Sequence, residues 1–411
     1  MGPRAVAACA ISGLVLALAA CGEKEPEDGG PLKGSGTVSI YSSLPLHGPE
    51  RASSQDMVDA IKLALKDAGG RAGELDVNYV SLDSSTPEKG AWTAGRVLEN
   101  ARLAIRDINV IAYIGERASA ATALALPLTN EAEVLQVSPT STYDGLTRPG
   151  GVRRGEPERF YPSGMRTFGR MVPTDSIQAS ALVGYMRDEG VRKLAILGDR
   201  ELVGGGIAEQ VSEAAERQDV EVFDLGHIDA SEGDLSDDAA RVAATGADAF
   251  LFAGDDRAGA ERVFRAVGGV TTRMLLFAPG SVAGEDLYKA LRAPVQRRMR
   301  ITTPALPISE LPAVARAFAK RFRATFGRQP APEAPLAYEA TQSVLSSIRA
   351  AGTLGNQRDA VIDEFFAIRD RRSVLGTYSI DRFGDTSLDR FAISRLRGSR
   401  LVLDRVLEAR R

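Results

Sequence analysis

The sequence predicts an α/β fold of two lobes, each built on a parallel sheet that helices cover on both faces. Apolar segments alternate along the chain with Ala-rich segments of helical spacing. The chain has 411 residues, more than one hydrophobic core usually holds, and 44% of them are apolar. Strands that are apolar along their whole length are typical of parallel sheets buried on both faces.

Short apolar segments predict the strands. They cover residues 37–41, 75–83, 109–115, 133–139, 193–199, 220–226, 247–255 and 273–279. The intervening helices follow from spacing: Met57, Ile61, Leu65 and Ala68 fall on one face of a helix, and the run 93–105 repeats this pattern.

Composition excludes several functional classes. The chain has 51 Lys and Arg against 54 Asp and Glu, a formal net charge of −3, and no long basic run, so we expect no nucleic-acid binding. Its two histidines, His47 and His227, exclude a His-rich metal site. Its two cysteines, Cys9 and Cys21, both belong to the N-terminal segment, so we expect no disulfide in the body of the protein, no metal and no cofactor.

The N-terminal segment predicts export. An apolar run from Ala5 to Ala20 follows Arg4 and is shorter than the roughly 20 residues of a membrane span. Leu18-Ala19-Ala20-Cys21 resembles the bacterial lipobox, which implies a signal peptide over residues 1–20 and a lipid anchor on Cys21. An ordinary cleaved signal with an incidental cysteine is the alternative. Residues 21–35, charged and rich in Gly, are predicted to be a disordered tether.

The loops that follow the predicted strands are polar. Ligands of parallel sheets bind at the carboxyl ends of strands, so these loops are the candidate site. They are rich in Ser, Thr, Gly and Asp and poor in His, Cys and Lys, which favours hydrogen bonding over nucleophilic or metal chemistry. The loops are residues 42–55, 115–122, 138–147, 198–206, 253–260 and 278–284.

Four segments in order along the chain carry a resemblance to a known family. They are "IGERASAATALALPLTNEAEVLQVSPTSTYDGLT" (114–147), "RTFGRMVPTDSIQASALVGYM" (166–186), "LAYEATQSVLSSIRAAG" (336–352) and "GTYSIDRFGDTSL" (376–388). With them the chain resembles the type I periplasmic binding proteins of the branched-chain amino acid transporter class. The resemblance implies two Rossmann-like lobes, joined by a three-stranded hinge, that close on a small ligand.

Mapped on this chain, the resemblance assigns four stretches to the two lobes. The first lobe takes residues 36–172 and 304–376, and the second takes residues 173–303 and 377–411.

The resemblance also implies ligand contacts in the first lobe. An amino acid is a zwitterion, and a cleft that buries it must offer donors to its carboxylate and acceptors to its ammonium. Ser119 matches the carboxylate-binding serine, Thr140 and Thr142 match positions that hold both charged groups, and Ala118 matches a backbone contact. Helix capping and turn formation are the alternative roles of these hydroxyls.

The second lobe departs from the family pattern. Val203 stands where the family has an aromatic lid residue, and the next aromatic position falls on Asp255. Gly280 replaces the acid that binds the ammonium. By charge alone, Asp255 or Asp256 is the candidate to take over the ammonium, with helix capping as the alternative role.

Two arginines stand in loops that face the predicted cleft. Arg51 and Arg117 either select an acidic ligand or extend into solvent.

Together these features predict a lipid-anchored solute-binding protein on the extracytoplasmic face of the cell membrane. It would capture an amino acid or similar polar molecule and deliver it to an ABC permease, with no covalent step and therefore no enzyme activity. A sensor of the same fold that reports to a membrane receptor is the first alternative. An exported hydrolase is the second, and the lack of a G-x-S-x-G motif speaks against it.

Overall fold

The structure is a computed structural model, and it describes residues 36–149, 153–199, 202–230, 232–398 and 400–409. The predicted signal peptide, the tether and Cys21 lie outside these residues. The strands are β1 (Thr37–Leu44), β2 (Arg71–Ala72), β3 (Leu75–Asp83), β4 (Ser85–Thr86), β5 (Ala91–Trp92), β6 (Val110–Gly115), β7 (Leu135–Ser138), β8 (Phe168–Arg170), β9 (Lys193–Asp199), β10 (Glu221–Ile228), β11 (Ala249–Ala253), β12 (Leu275–Pro279), β13 (Met299–Thr303), β14 (Arg371–Ser373), β15 (Gly376–Tyr378), β16 (Arg390–Arg397) and β17 (Arg400–Glu408). The helices are α1 (Arg51–Asp67), α2 (Ala94–Arg106), α3 (Ser119–Glu131), α4 (Asp175–Asp188), α5 (Leu202–Arg217), α6 (Ser236–Ala244), α7 (Arg257–Val270), α8 (Glu285–Ala290), α9 (Ala293–Gln296), α10 (Ala313–Phe326), α11 (Ala334–Ala350) and α12 (Arg358–Phe366).

The strands form two large sheets. The first has the order β2-β3-β1-β6-β7-β8 and is parallel except for the edge strand β2. The second has the order β10-β9-β11-β12-β13-β16-β17; it is parallel as far as β13 and antiparallel beyond it. The predicted α/β class with parallel sheets is therefore confirmed.

Helices cover both faces of each sheet because successive residues of a strand point to opposite sides. In β1, Ile40 belongs to the core cluster that includes residues of α1, α10, α11 and α12, whereas its neighbour Tyr41 belongs to the cluster that includes residues of α2 and α3. In β9, Leu197 and Ile196 divide in the same way between two clusters of helices. The first lobe thus combines β1–β8 with α1–α3 and α10–α12, and the second combines β9–β13, β16 and β17 with α4–α9.

Local sequence sets the ends of several helices. Thr93 precedes α2, and its hydroxyl accepts a hydrogen bond from the backbone N–H of Arg96 at 3.3 Å, as a capping threonine does. Gly327 ends α10 with a φ of 76°, a left-handed conformation that glycine adopts without strain. Within the described residues, no helix is both long and apolar enough to cross a membrane.

The predicted crossovers between the lobes lie near residues 172, 303 and 376. Ile380 lies in the core of the first lobe, and a Cβ at Gly384 (φ 93°) would clash with the carbonyl oxygen of Phe168 in β8. These contacts favour a third crossover nearer 389 than the predicted 376. The predicted lobe boundaries otherwise stay predictions.

Candidate functional site

The carboxyl ends of strands from both sheets converge on one cavity between the lobes. Strands β6 and β7 approach it from the first lobe, and β11, β12 and β13 from the second. Its volume is about 110 Å³. The lining residues are Glu50, Arg117, Ala118, Ser119, Thr140, Thr142, Asp175, Gln178, Ile207, Asp255, Pro279, Gly280, Ser281, Thr303, Pro304, Ala305 and Glu333.

Four of the five first-lobe residues predicted for the site, Ala118, Ser119, Thr140 and Thr142, come together in this cavity. Ser119 begins α3, is 4% exposed, and its Oγ accepts hydrogen bonds from the N–H groups of Thr142 at 3.1 Å and Tyr143 at 3.3 Å. Thr140 donates its hydroxyl proton to the carbonyl oxygen of Arg117 at 2.7 Å. Ala118 precedes Ser119 in extended conformation. These bonds lock the loop after β6 to the loop after β7.

A buried arginine in the first lobe binds the backbone of the loop after β7. Arg170 is fully buried at the end of β8 and donates to the carbonyl oxygens of Ser141 and Tyr143, both at 3.0 Å. It donates to the hydroxyl of Thr147 at 2.6 Å, and its Nε lies 2.9 Å from a carboxylate oxygen of Asp385. The loop is therefore fixed by a charge inside the first lobe.

A chain of ion pairs borders one side of the cavity. Arg117 is largely buried and contacts Glu50 at 3.0 Å and Glu333 at 3.3 Å. Burial alone lowers the pKa of Arg117, but the two carboxylates outweigh it and the pKa is raised. Arg257 of the second lobe lies 3.5 Å from the same Glu50 oxygen, so this carboxylate links the two lobes.

The start of α4 brings a further acid and an amide to the cavity. Asp175 is 1% exposed and Gln178 is 3% exposed; their spacing of three residues puts them on one face of the helix. The N–H of Asp175 donates to the carbonyl oxygen of Thr142 at 2.9 Å. Asp144, from the first lobe, accepts hydrogen bonds from the N–H and hydroxyl of Ser176.

The second-lobe residues predicted for the site occupy different places in the structure. Asp255 lines the cavity, and its N–H donates to Asp199 at 2.7 Å. Asp256 caps α7 by accepting from the N–H of Ala258, so capping falls to this residue of the pair. Val203 falls in the first turn of α5, and its side chain lies outside what the structure describes.

Gly280 lines the cavity at the end of β12 and leaves little room for a side chain. A Cβ there would lie 2.9 Å from the Cβ of Thr303. An acid at this position, which the family pattern has, would require Thr303 to move.

Arg51 does not join the site. It is exposed in the first turn of α1 and lies outside the cavity lining, because the loop that precedes this helix turns Glu50 to the cavity instead. Sequence reasoning missed Glu50, Asp175, Gln178 and Glu333. One signal was available for Asp175, because it follows Pro-Thr at a predicted lobe boundary and opens a helix.

The site contains hydroxyls, carboxylates, one guanidinium and an amide, which equip it for reversible binding through hydrogen bonds and charge. Within the described residues, no group of three or more His, Cys, Asp or Glu side chains is arranged to hold a metal ion.

A model of a known protein family matches most of this chain. The family is described as "Periplasmic binding protein", and the match covers residues 37–387. A sequence search of curated proteins gave no match.

Solved structures of similar fold include proteins with different ligands. A leucine-binding protein from Thermotoga maritima superposes with a TM-score of 0.75 at 20% identity, over 90% of this chain and 99% of that one. The substrate-binding protein of a branched-chain amino acid transporter from Streptococcus pneumoniae, in complex with isoleucine, has a TM-score of 0.71 at 18% identity, over 90% and 99%. A solute-binding protein of an ABC transporter from R. palustris, in complex with benzoate, has a TM-score of 0.70 at 16% identity, over 91% and 97%. At these identities the likeness concerns the fold.

Proposed function

This chain belongs to the periplasmic binding protein family, and from that premise we propose that it is a lipid-anchored extracytoplasmic solute-binding protein. It captures a small polar molecule, an amino acid or a related compound, between its two lobes and delivers it to an ABC permease. We expect the ligand to leave chemically unchanged, because the described lining consists of groups that bind through hydrogen bonds and charge.

The cavity between the lobes is the observation that carries this proposal. A water molecule needs roughly 10–15 Å³ of such space, so about 110 Å³ accommodates roughly eight to ten non-hydrogen atoms, about the size of a small amino acid. Its walls come from strand ends of both lobes, as in a cleft that encloses its ligand by hinge closure.

Ser119 and Thr142 are the proposed contacts for the ligand's anionic or carbonyl end. A hydroxyl that accepts two hydrogen bonds still has its own proton to donate, and Ser119 is in that position. The pair Glu50–Arg257 holds the lobes together beside the ligand when they are closed.

A thermal-shift screen of the full chain against amino acids, amides, amines and small carboxylates tests the proposal. We expect at least one class of compound to raise the unfolding midpoint, because a ligand that binds only the folded protein stabilises it. A folded protein with no shift across the whole panel would contradict the function.

Replacing Ser119 with alanine is expected to weaken binding of the best compound from this screen by about ten- to hundredfold. The substitution removes one hydrogen bond to a charged or strongly polar group, which contributes about 1.5–3 kcal/mol. Calorimetric titration measures the change. Ser212→Ala is the matched control, since Ser212 lies within α5 outside the cavity lining and donates to Ala208. Equal affinity in both variants would remove Ser119 from the proposed site.

Replacing Cys21 with serine is expected to move the protein from the membrane fraction to the soluble fraction. Two or more acyl chains hold a protein stably on a bilayer, and a serine in place of the cysteine offers no thiol to receive them. Immunoblotting of fractionated cells measures the change, and metabolic labelling with a radioactive fatty acid checks the modification itself. A Cys21→Ser protein that stays in the membrane fraction would contradict the anchor.

A further inference from the structure

Carboxylates outnumber cations among the charged residues that line the cavity between the lobes. Among the described lining residues, the acids are Glu50, Asp175, Asp255 and Glu333, and the cation is Arg117. Arg117 lies against Glu50 and Glu333 and compensates that side of the cavity. Asp175 and Asp255 belong to the second lobe, away from this pairing.

Among the described lining acids, Asp175 is the one with a buried oxygen that has no hydrogen-bond partner. The residue is 1% exposed, and within the described residues its Oδ2 receives no hydrogen bond. Buried polar groups in folded proteins are almost always hydrogen-bonded, and a buried carboxylate without a partner is costly. An unpaired carboxylate oxygen at the wall of a ligand-sized cavity indicates that the missing donor belongs to the ligand.

The surroundings of Asp175 make it ready to receive a cation. Burial, together with the nearby charges of Asp144 and Asp255, raises its pKa to about 7, although the hydroxyl of Thr142 and the charge of Arg170 act in the opposite direction. Near neutral pH the carboxyl therefore carries a proton for part of the time. A ligand cation beside it would replace that proton and stabilise the carboxylate.

We propose that the cleft takes a small ligand with a cationic N–H group, such as an amine, amidine or guanidine, which donates to Asp175 Oδ2, and that the ligand carries no net negative charge. The amide of Gln178 is the adjacent polar contact on the same face of α4. This inference rests on the proposed function and narrows its ligand to one charge class. An anion such as benzoate would face the unpaired acid and be rejected.

The test uses calorimetry on the full chain with L-arginine, L-leucine, putrescine, acetamide and benzoate at pH 6, alongside a thermal-shift panel of further compounds in the same charge classes. Binding is expected from compounds with a cationic nitrogen. The strongest of them should release about one proton per molecule bound, read from the dependence of the heat on buffer ionisation. Asp175→Asn should weaken this binding at least tenfold and abolish the proton release.

Asp188→Asn is the matched control, because it makes the same change at the other end of α4, where the carboxylate is exposed and pairs with Arg405. It should bind like the unmodified protein. Asp175→Asn should fold, since it removes an unpaired buried charge, and a thermal midpoint at pH 8 at least equal to that of the unmodified protein checks this.

Three results would overturn the inference: tightest binding by benzoate or acetamide, unchanged affinity in Asp175→Asn, or binding without proton release. Each of these leaves ligand capture itself intact. Absence of binding by every compound of every class would instead contradict the proposed function, and the inference with it.

Discussion

Replacing Arg170 with alanine is expected to lower the free energy of unfolding by about 4 kcal/mol, because it leaves a buried charge and several buried acceptors without their partner. Arg170 is fully buried. Its guanidinium pairs with Asp385 and donates hydrogen bonds to Thr147 and to the carbonyl oxygens of Ser141 and Tyr143. Asp385 is itself 4% exposed, and among the residues that the structure describes it keeps the partly exposed Arg148 as its cation.

The substitution also releases the loop that carries Thr142, so ligand affinity should fall together with stability. Denaturant unfolding measures the first effect and calorimetric titration the second. Arg96→Ala is the control: its ion pair with Glu99 is exposed on α2, and such pairs contribute about 0.2–1 kcal/mol. A loss in Arg170→Ala no larger than in Arg96→Ala would show that the buried arginine does not hold the loop.

Replacing Glu116 with glutamine is expected to make the protein about 3 kcal/mol more stable at pH 8 while changing little at pH 5. Burial raises the pKa of Glu116 from its ordinary value of 4.5 to about 7, against hydrogen bonds from Tyr113, Ser43 and Ser84 that lower it. Between pH 4.5 and 7 the folded protein keeps a proton that the unfolded chain has lost. Raising the pH through this window therefore favours unfolding, and each pKa unit corresponds to about 1.4 kcal/mol.

Unfolding in urea at pH 5, 6, 7 and 8 measures this difference. Tyr113→Phe is the opposing variant, because the Tyr113 hydroxyl donates to Glu116 at 2.5 Å and lowers its pKa. Its removal should raise that pKa further, so that the loss of stability continues to higher pH. If the free energies of unfolding of Glu116→Gln and the unmodified protein differed by the same amount from pH 5 to 8, the raised pKa of Glu116 would be contradicted.

Sequence patterns predicted most of the parallel strands, because each of these is a short segment rich in apolar residues. The segments at 75–83 and 193–199 coincide with β3 and β9, and the others differ by a few residues at their ends. Among the strands of the two large sheets, β2, β8, β13, β16 and β17 escaped prediction. In β16 arginines interrupt the apolar pattern, and β16 and β17 pair antiparallel at the edge of the second sheet.

The site was predictable only where one continuous sequence motif carries it. Ser119 and Thr142 stand in adjacent strand-end loops of one motif, and the structure brings them within hydrogen-bonding contact. Glu50 and Glu333 are far apart in the sequence and meet only through Arg117. No local sequence pattern predicts that these two carboxylates share Arg117, because this contact depends on how α1 and α11 pack.

A crystal structure of the protein with its tightest-binding compound tests the central claim most directly. The account predicts ligand density in the cavity between the lobes, with the Ser119 hydroxyl and the Asp175 carboxylate both within about 3 Å of ligand polar atoms. A ligand bound elsewhere on the surface, with the cavity filled by the protein's own side chains, would contradict it.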